Sequence, residues 1–184
     1  MAKGRGTTLV AFAGLPGTGK STLACRVARE LDAPLLDKDR VREALFGPNH
    51  VDYTREQDDF VLGVLFQAVE HLAVTRRPAN IVLDGRTYSR REQVAALRGF
   101  ARERGLELKL IECTCSPEVA EERLRADLAR GDHPAANRGV ELYRALAALA
   151  EPIEPPKLTL RTDEGSIEAL ASACLAYAAP DSRT

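Results

Sequence analysis

Gly14-Leu15-Pro16-Gly17-Thr18-Gly19-Lys20-Ser21 decides how this chain folds, because it fills every fixed position of the pattern G-x-x-x-x-G-K-[ST]. Glycines without Cβ let consecutive backbone N–H groups turn inward around phosphate oxygens, and the helix that follows points its positive end at them. Lys20 stands where a lysine reaches the β- and γ-phosphates, and the Ser21 hydroxyl stands where Mg²⁺ is ligated. The stretch reads as a nucleoside triphosphate site, with Gly14, Pro16, Gly17, Thr18, Gly19, Lys20, Ser21 and Thr22 as nucleotide-binding candidates. Both flanks agree. Thr7 to Ala13 is a short apolar run of strand character entering the loop, and Ser21 to Leu31 has helical periodicity, with Leu23, Val27 and Leu31 making the stripe that packs on a sheet.

The chain has 184 residues, the size of one domain with a real core, and a single domain over 1–184 is expected. Its formal net charge of -1 gives no global basic field, which argues against extended duplex binding and leaves only a local basic groove open to nucleic acid. Cys25, Cys113, Cys115 and Cys174 show no C-x-x-C spacing and sit in apolar settings, so they are expected as reduced core residues of a cytoplasmic protein. Lys3 and Arg5 precede the apolar run Leu9 to Leu15 much as in a short signal peptide, but that run leads straight into the phosphate loop. No apolar stretch approaches the length of a membrane span, so no membrane partner is expected. Residues 180–184 read as a loose tail.

Further along, Ala33 to Asp37 reads as a second strand ending in Asp37-Lys38-Asp39-Arg40-Val41-Arg42. Ligands of open α/β sheets bind at the carboxyl ends of the strands, which puts this cluster beside the phosphate loop. Glu43 to Phe46 continues a short helix stopped by Gly47-Pro48, and Asn49 to Thr54 is a polar loop near the substrate. Phe60, Val64, Ala68 and Leu72, joined by Val61, Leu65 and Val69, predict one long amphipathic helix from Arg55 to about Thr75. Ala79 to Asp84 is a third strand, apolar until an aspartate that can hold Mg²⁺ directly or through water; the plainer reading is a strand-end turn. Ser89, with Glu92 three residues later, is expected to cap a helix reaching Arg104. Glu107 to Cys113 is the fourth strand, and Ser116-Pro117-Glu118 opens another helix. Arg130 to Gly139 breaks the periodicity, Val140 to Ala150 restores it, Lys157 to Thr162 is the fifth strand and Ser166 to Ala178 the last helix. Strands alternating with helices predict an α/β fold with a parallel sheet covered on both faces.

These motifs resemble the P-loop kinases of small substrates: adenylylsulfate kinase, chloramphenicol phosphotransferase, gluconate kinase and the polynucleotide 5′-hydroxyl kinases. Leu36-Asp37-Lys38-Asp39-Arg40-Val41-Arg42 is similar to the adenylylsulfate kinase stretch L-D-G-D-N-V-R, with Lys38 and Arg40 as departures. Asp39-x-x-Arg42 also resembles the D-x-x-R of polynucleotide kinases, in which the aspartate is the general base and the arginine holds substrate. Val82 to Arg86, with Arg90-Arg91 after it, looks like the third-strand ending of the wider group. The resemblance implies a P-loop NTPase three-layer α/β/α fold, a sheet ordered 2-3-1-4-5, and a helical lid over about 123–140 carrying Arg123, Arg130 or Arg138. Asp127 stands where many relatives have a second arginine. The stretch Glu154 to Asp163 resembles the strand near which the adenine lies in that group.

Phosphoryl transfer needs an in-line acceptor, neutralised charge on the γ-phosphate and exclusion of water. Lys20 and a lid arginine, Arg130 foremost, are the charge-bearing candidates, with Arg123 on the nucleotide and Mg²⁺ held by Ser21 and Asp84. Asp39 is the expected general base; Asp84 and Asp37 are the other two acids within reach, and Asp37 is also a substrate-side candidate. Arg42, Arg86 and Arg90 carry guanidinium forks suited to an anionic acceptor, and Tyr53, Tyr88 and Tyr143 are candidates to line its pocket. His133 reads as a surface residue, and His50 and His71 lack metal-ligating neighbours. The expected function is ATP-dependent transfer to a small-molecule hydroxyl. The alternatives are a polynucleotide 5′-hydroxyl kinase and an NTPase or nucleotide-sensing regulator without transfer.

Overall fold

The protein is described by a computed structural model over residues 6–130 and 139–179. Strand β1 (Thr8–Ala13) is buried along its whole length, as a strand covered on both faces must be, and it occupies the middle of the sheet. β2 (Leu35–Asp37), β3 (Asn80–Asp84), β4 (Glu107–Thr114) and β5 (Leu158–Arg161) join it in the order β2-β3-β1-β4-β5, every pairing parallel. This is the predicted order. The side-chain period of two divides β1 between the two cores. Leu9, Ala11 and Ala13 face α3 (Arg55–Thr75) and α4 (Arg91–Glu103), where Leu65, Val69, Val94 and Leu97 meet them. Val10 and Phe12 face α1 (Lys20–Glu30) and α7 (Ile167–Ala178), with Leu23, Val27, Ala171 and Cys174.

Three further helices complete the described chain: α2 (Lys38–Phe46), α5 (Pro117–Arg130) and α6 (Val140–Leu149). The expected lid region thus includes the end of α5, whereas 131–138, with His133 and Arg138, and the expected tail at 180–184 lie outside the described residues. Among the described residues no helix is long and apolar enough to cross a membrane.

Four local expectations are corrected. The α3 stripe facing the sheet is Val61, Leu65 and Val69; Phe60, one position off it, is 58% exposed and meets the Phe46 ring edge-on at 5.9 Å. A helix with two adjacent apolar rows can press only one of them fully against a sheet. Ser89 does not cap α4. The N-cap is Arg90 and makes no side-chain capping bond; instead the Arg91 amide donates to the Glu151 carboxylate at 2.9 Å, from far along the chain. Cys113 and Cys174 are buried, with thiols pushed up to about 12 by burial, but Cys25 is exposed and Cys115 half-buried. Finally, α2 starts directly at Lys38, because the Asp37 carboxylate accepts from the Asp39 amide at 2.9 Å and the Arg40 amide at 3.3 Å.

Candidate active site

Between β1 and α1 the chain turns through Gly14, Gly17 and Gly19 at φ of 142, 78 and 75°, values that favour glycine. At two of them the absent Cβ also permits close packing. A Cβ on Gly14 would lie 2.4 Å from the Cys113 carbonyl, and one on Gly17 would lie 2.6 Å from the Ala120 carbonyl. The Thr18 hydroxyl closes the turn by donating to the Leu15 carbonyl at 2.7 Å, and Lys20 opens α1 almost fully buried. Gly17→Ala is therefore expected to combine backbone strain with a clash against main chain, costing about 1–3 kcal/mol of stability and weakening affinity for the non-hydrolysable analogue AMPPNP. Urea titration and calorimetry check this, and an unchanged denaturation midpoint would contradict it.

On one side of the loop lies a cleft of about 410 Å³ shared by Gly19, Lys20, Ser21, Thr22, Arg123 and Arg130. Arg123 reaches back from α5 to donate to the Gly17 carbonyl at 3.3 Å, the Thr162 hydroxyl at 3.0 Å and the Thr162 carbonyl at 2.9 Å. Thr162 Oγ1 in turn lies 2.8 Å from the Thr18 carbonyl, so one belt ties α5, the end of β5 and the phosphate loop together. Arg123 thus braces the loop from within the cleft. Arg130 pairs with Asp127 one turn earlier on the same helix. The loop after β5 is fixed by Asp163, which accepts from the Ser116 amide at 2.8 Å and from Arg161 at 2.9 Å; these donors hold its carboxyl down at about 2.

On the other side, Pro16 borders a cavity of about 700 Å³ walled by α2, α3 and the segment joining β3 to α4. Asp39 and Arg42, one helical turn apart, pair at 2.8 Å in its wall. Arg42 is 3% exposed; its Nη2 donates to Asp58, and its guanidinium lies 5.1 Å from the Tyr53 ring centroid. Lys38 Nζ donates to both Asp58 oxygens at 2.8 Å, and Arg86 Nη2 to Asp59 at 3.2 Å. Arg86 and Arg90 line the same cavity as Asp39 and Arg42, while Asp37 does not; it is engaged as the cap of α2, and burial together with Asp84 pushes its carboxyl up. Of the three tyrosines only Tyr53 lines this cavity. Tyr88 is a core residue whose burial raises its phenol, and it shares with Tyr143 a small pocket behind the loop.

Asp58 and Asp59 are site residues that sequence reasoning missed; Lys38, named there only within the charged cluster after β2, joins them in the cavity wall. The signal available was the charged opening of an otherwise apolar helix, Arg55-Glu56-Gln57-Asp58-Asp59. Gln57 in that turn is buried, donating to the His50 carbonyl at 2.9 Å and accepting from the Asp52 amide at 3.2 Å, which pins the preceding loop beside the cavity.

Asp84 ends β3 level with Asp37 on β2 and is 2% exposed, and both its carboxylate oxygens are buried without a hydrogen-bond partner among the described residues. A buried carboxylate left without donors is costly, so its surroundings fit a cation. Ser21, in the first turn of α1, and Asp84 are the residues that could hold Mg²⁺. Gly85 follows at φ 93°, where a Cβ would lie 2.8 Å from the Lys38 amide nitrogen; its absence lets the end of β3 press against the start of α2.

A profile of the AAA domain matches residues 9–152, which spans this loop, both acidic strand ends and the walls of the cavity. The chain belongs to the AAA-domain family. Comparison with curated proteins gives no match. Among solved structures, this AAA-domain protein is similar to the APS kinase CysC of Mycobacterium tuberculosis in complex with AMPPNP and APS, at 23% identity and a TM-score of 0.69 over 94% of this chain and 97% of that one. It is similar to a gluconokinase from Sinorhizobium meliloti at 16% and 0.64, covering 94% and 91%. It is also similar to Chaetomium thermophilum Kti12 in complex with ADP-AlF3, at 15% and 0.68, covering 94% and 100%. These likenesses establish a shared P-loop kinase-like fold, and the resemblance read from the sequence holds at that level.

Proposed function

We propose that this protein is an ATP-dependent phosphotransferase that moves the γ-phosphate to a hydroxyl of a small molecule, with Asp39 as general base. The observation that carries the reading is that the phosphate loop divides two concavities. A nucleotide-sized cleft opens beside Gly19 to Thr22, and a second cavity bordered by Pro16 carries the Asp39 carboxylate in its wall. Such a site holds donor and acceptor apart until both are bound and in line.

In this reading the acceptor oxygen attacks the γ-phosphorus, the bond from that phosphorus to the bridging β-γ oxygen breaks, ADP leaves, and the hydroxyl proton passes to Asp39. Lys20 and the loop amides hold the phosphates, and Arg130 meets charge developing on the transferred group. Arg123 keeps the loop in shape from the nucleotide side. Arg42 aims Asp39, and Arg86 and Arg90 face the acceptor. Mg²⁺ held by Ser21 and Asp84 supplies charge neutralisation when bound.

The test is ADP release from ATP and Mg²⁺ against a panel of hydroxylated metabolites and a 5′-hydroxyl oligonucleotide. Turnover dependent on one small compound is expected, and label transferred to the oligonucleotide instead would move the reading to an end kinase. The likeness to Kti12 in complex with ADP-AlF3 fits a second reading, an NTPase or nucleotide-sensing regulator without phosphate transfer. Acceptor-independent hydrolysis, unchanged in Asp39→Asn, would establish that one and overturn the first.

A further inference from the structure

We propose that Asp58 and Asp59 set the charge of the acceptor, limiting the cavity to a hydroxylated molecule that carries no more than one negative charge. This rests on the phosphotransferase reading above and names the substrate class of the same site. Among the described residues, six basic and five acidic side chains line the cavity, an excess of one positive charge. Four of these basic groups, moreover, already have acidic partners. Lys38 is held by both oxygens of Asp58, and Arg42 lies between Asp39 and Asp58. Arg86 is held by Asp59 at 3.2 Å through Nη2, its Nε and Nη1 being buried without hydrogen-bond partners among the described residues, and Arg55 is held by Asp59 at 3.7 Å and Glu92 at 3.1 Å. Arg90 and Arg91 have no ion pair among the described residues; Arg91 is exposed, so Arg90 is the half-buried guanidinium whose charge the described wall leaves unpaired.

One guanidinium neutralises one anionic group. A dianion such as a phosphomonoester would need a second cation from an existing pair, Arg86 with its unpartnered Nε and Nη1 foremost, and the Asp59 charge would then face the incoming one. A 5′ end of nucleic acid, charged at every phosphate, faces the same obstacle repeatedly. For a neutral or singly charged acceptor the same wall is favourable, because Asp39, Asp58 and Asp59 accept hydrogen bonds from hydroxyls and the arginines donate to them. The carboxylates on α3 act as specificity determinants by occupying the cations that a more highly charged acceptor would require.

Sulfate, a compact dianion, tests this. With the phosphate loop filled by AMPPNP and Mg²⁺, sulfate is titrated into isotope-labelled protein and the backbone amides of Arg42, Arg90 and Arg91 are followed by NMR. The wild type is expected to show weak, non-saturating shifts. The double variant Asp58→Asn/Asp59→Asn, whose Lys38, Arg42 and Arg86 have lost their α3 partners, is expected to bind sulfate at least about ten-fold more tightly. Saturable sulfate binding by the wild type at these amides, or a double variant no tighter than wild type, would overturn the proposal. If the double variant is not folded by circular dichroism, Asp59→Asn alone, at a half-exposed carboxylate, releases Arg86 and must tighten sulfate binding in the same direction. Failure of the nucleotide reading shows separately, as AMPPNP leaving the amides of the phosphate loop unshifted.

Discussion

Lys20→Ala is expected to reduce ATP turnover by roughly 10²–10³-fold, the loss typical of deleting one preorganised donor to transition-state charge. Lys20 is 2% exposed and begins α1 directly after the left-handed Gly19, so its ammonium is carried by the same turn that aims the loop amides. Alanine is a strong helix former, and α1 is held to the sheet by Leu23, Ala24 and Val27, all at or near zero exposure. The fold should survive, as far-UV circular dichroism would show, while calorimetry with AMPPNP and Mg²⁺ records weakened binding independently of any acceptor. Turnover within a few-fold of wild type, in protein that binds the analogue normally, would remove Lys20 from the machinery.

Asp39→Asn is expected to lower transfer to a hydroxyl by about 10²–10⁴-fold, the range general-base catalysis contributes. The substitution keeps the size of the side chain and one oxygen for Arg42 Nη1, whose bond to Asp39 is 2.8 Å, and Arg42 retains Asp58 as counter-charge. Asp39 lies outside the cleft bordered by Gly19 to Thr22, so AMPPNP affinity should not change. Lost transfer with unchanged analogue binding is the signature of a group that acts on the acceptor. Equal losses of both would indicate that Asp39 only holds the site together.

The glycine spacing at 14–19 and the lysine and serine after it were readable because their requirement is local: backbone at positive φ and a helix start immediately downstream. The limits of α3 at Arg55–Thr75 were equally readable, since a 3.6-residue apolar repeat is written into the residues themselves. The buried row of that helix was not, because it depends on how the helix sits on the sheet, and so Phe60 points outward. The start of α4 was misread for a related reason: the group that satisfies its first amide is Glu151, 60 residues away. Asp37 looked like a ligand and serves as a helix cap, a role its spacing to the Asp39 and Arg40 amides permitted but did not announce.

What the sequence by itself determined is a nucleotide loop, five strands alternating with helices, and an acid at the end of the second and third strands. Only the tertiary structure decided which charges meet. Asp58 finds Lys38 and Arg42 at separations of 20 and 16 residues, Asp59 finds Arg86 at 27, and Asp84 is left buried without a donor among the described residues. Periodicity and turn chemistry act between residues a few positions apart, whereas ion pairs form wherever packing brings elements together, and no local pattern encodes that distance.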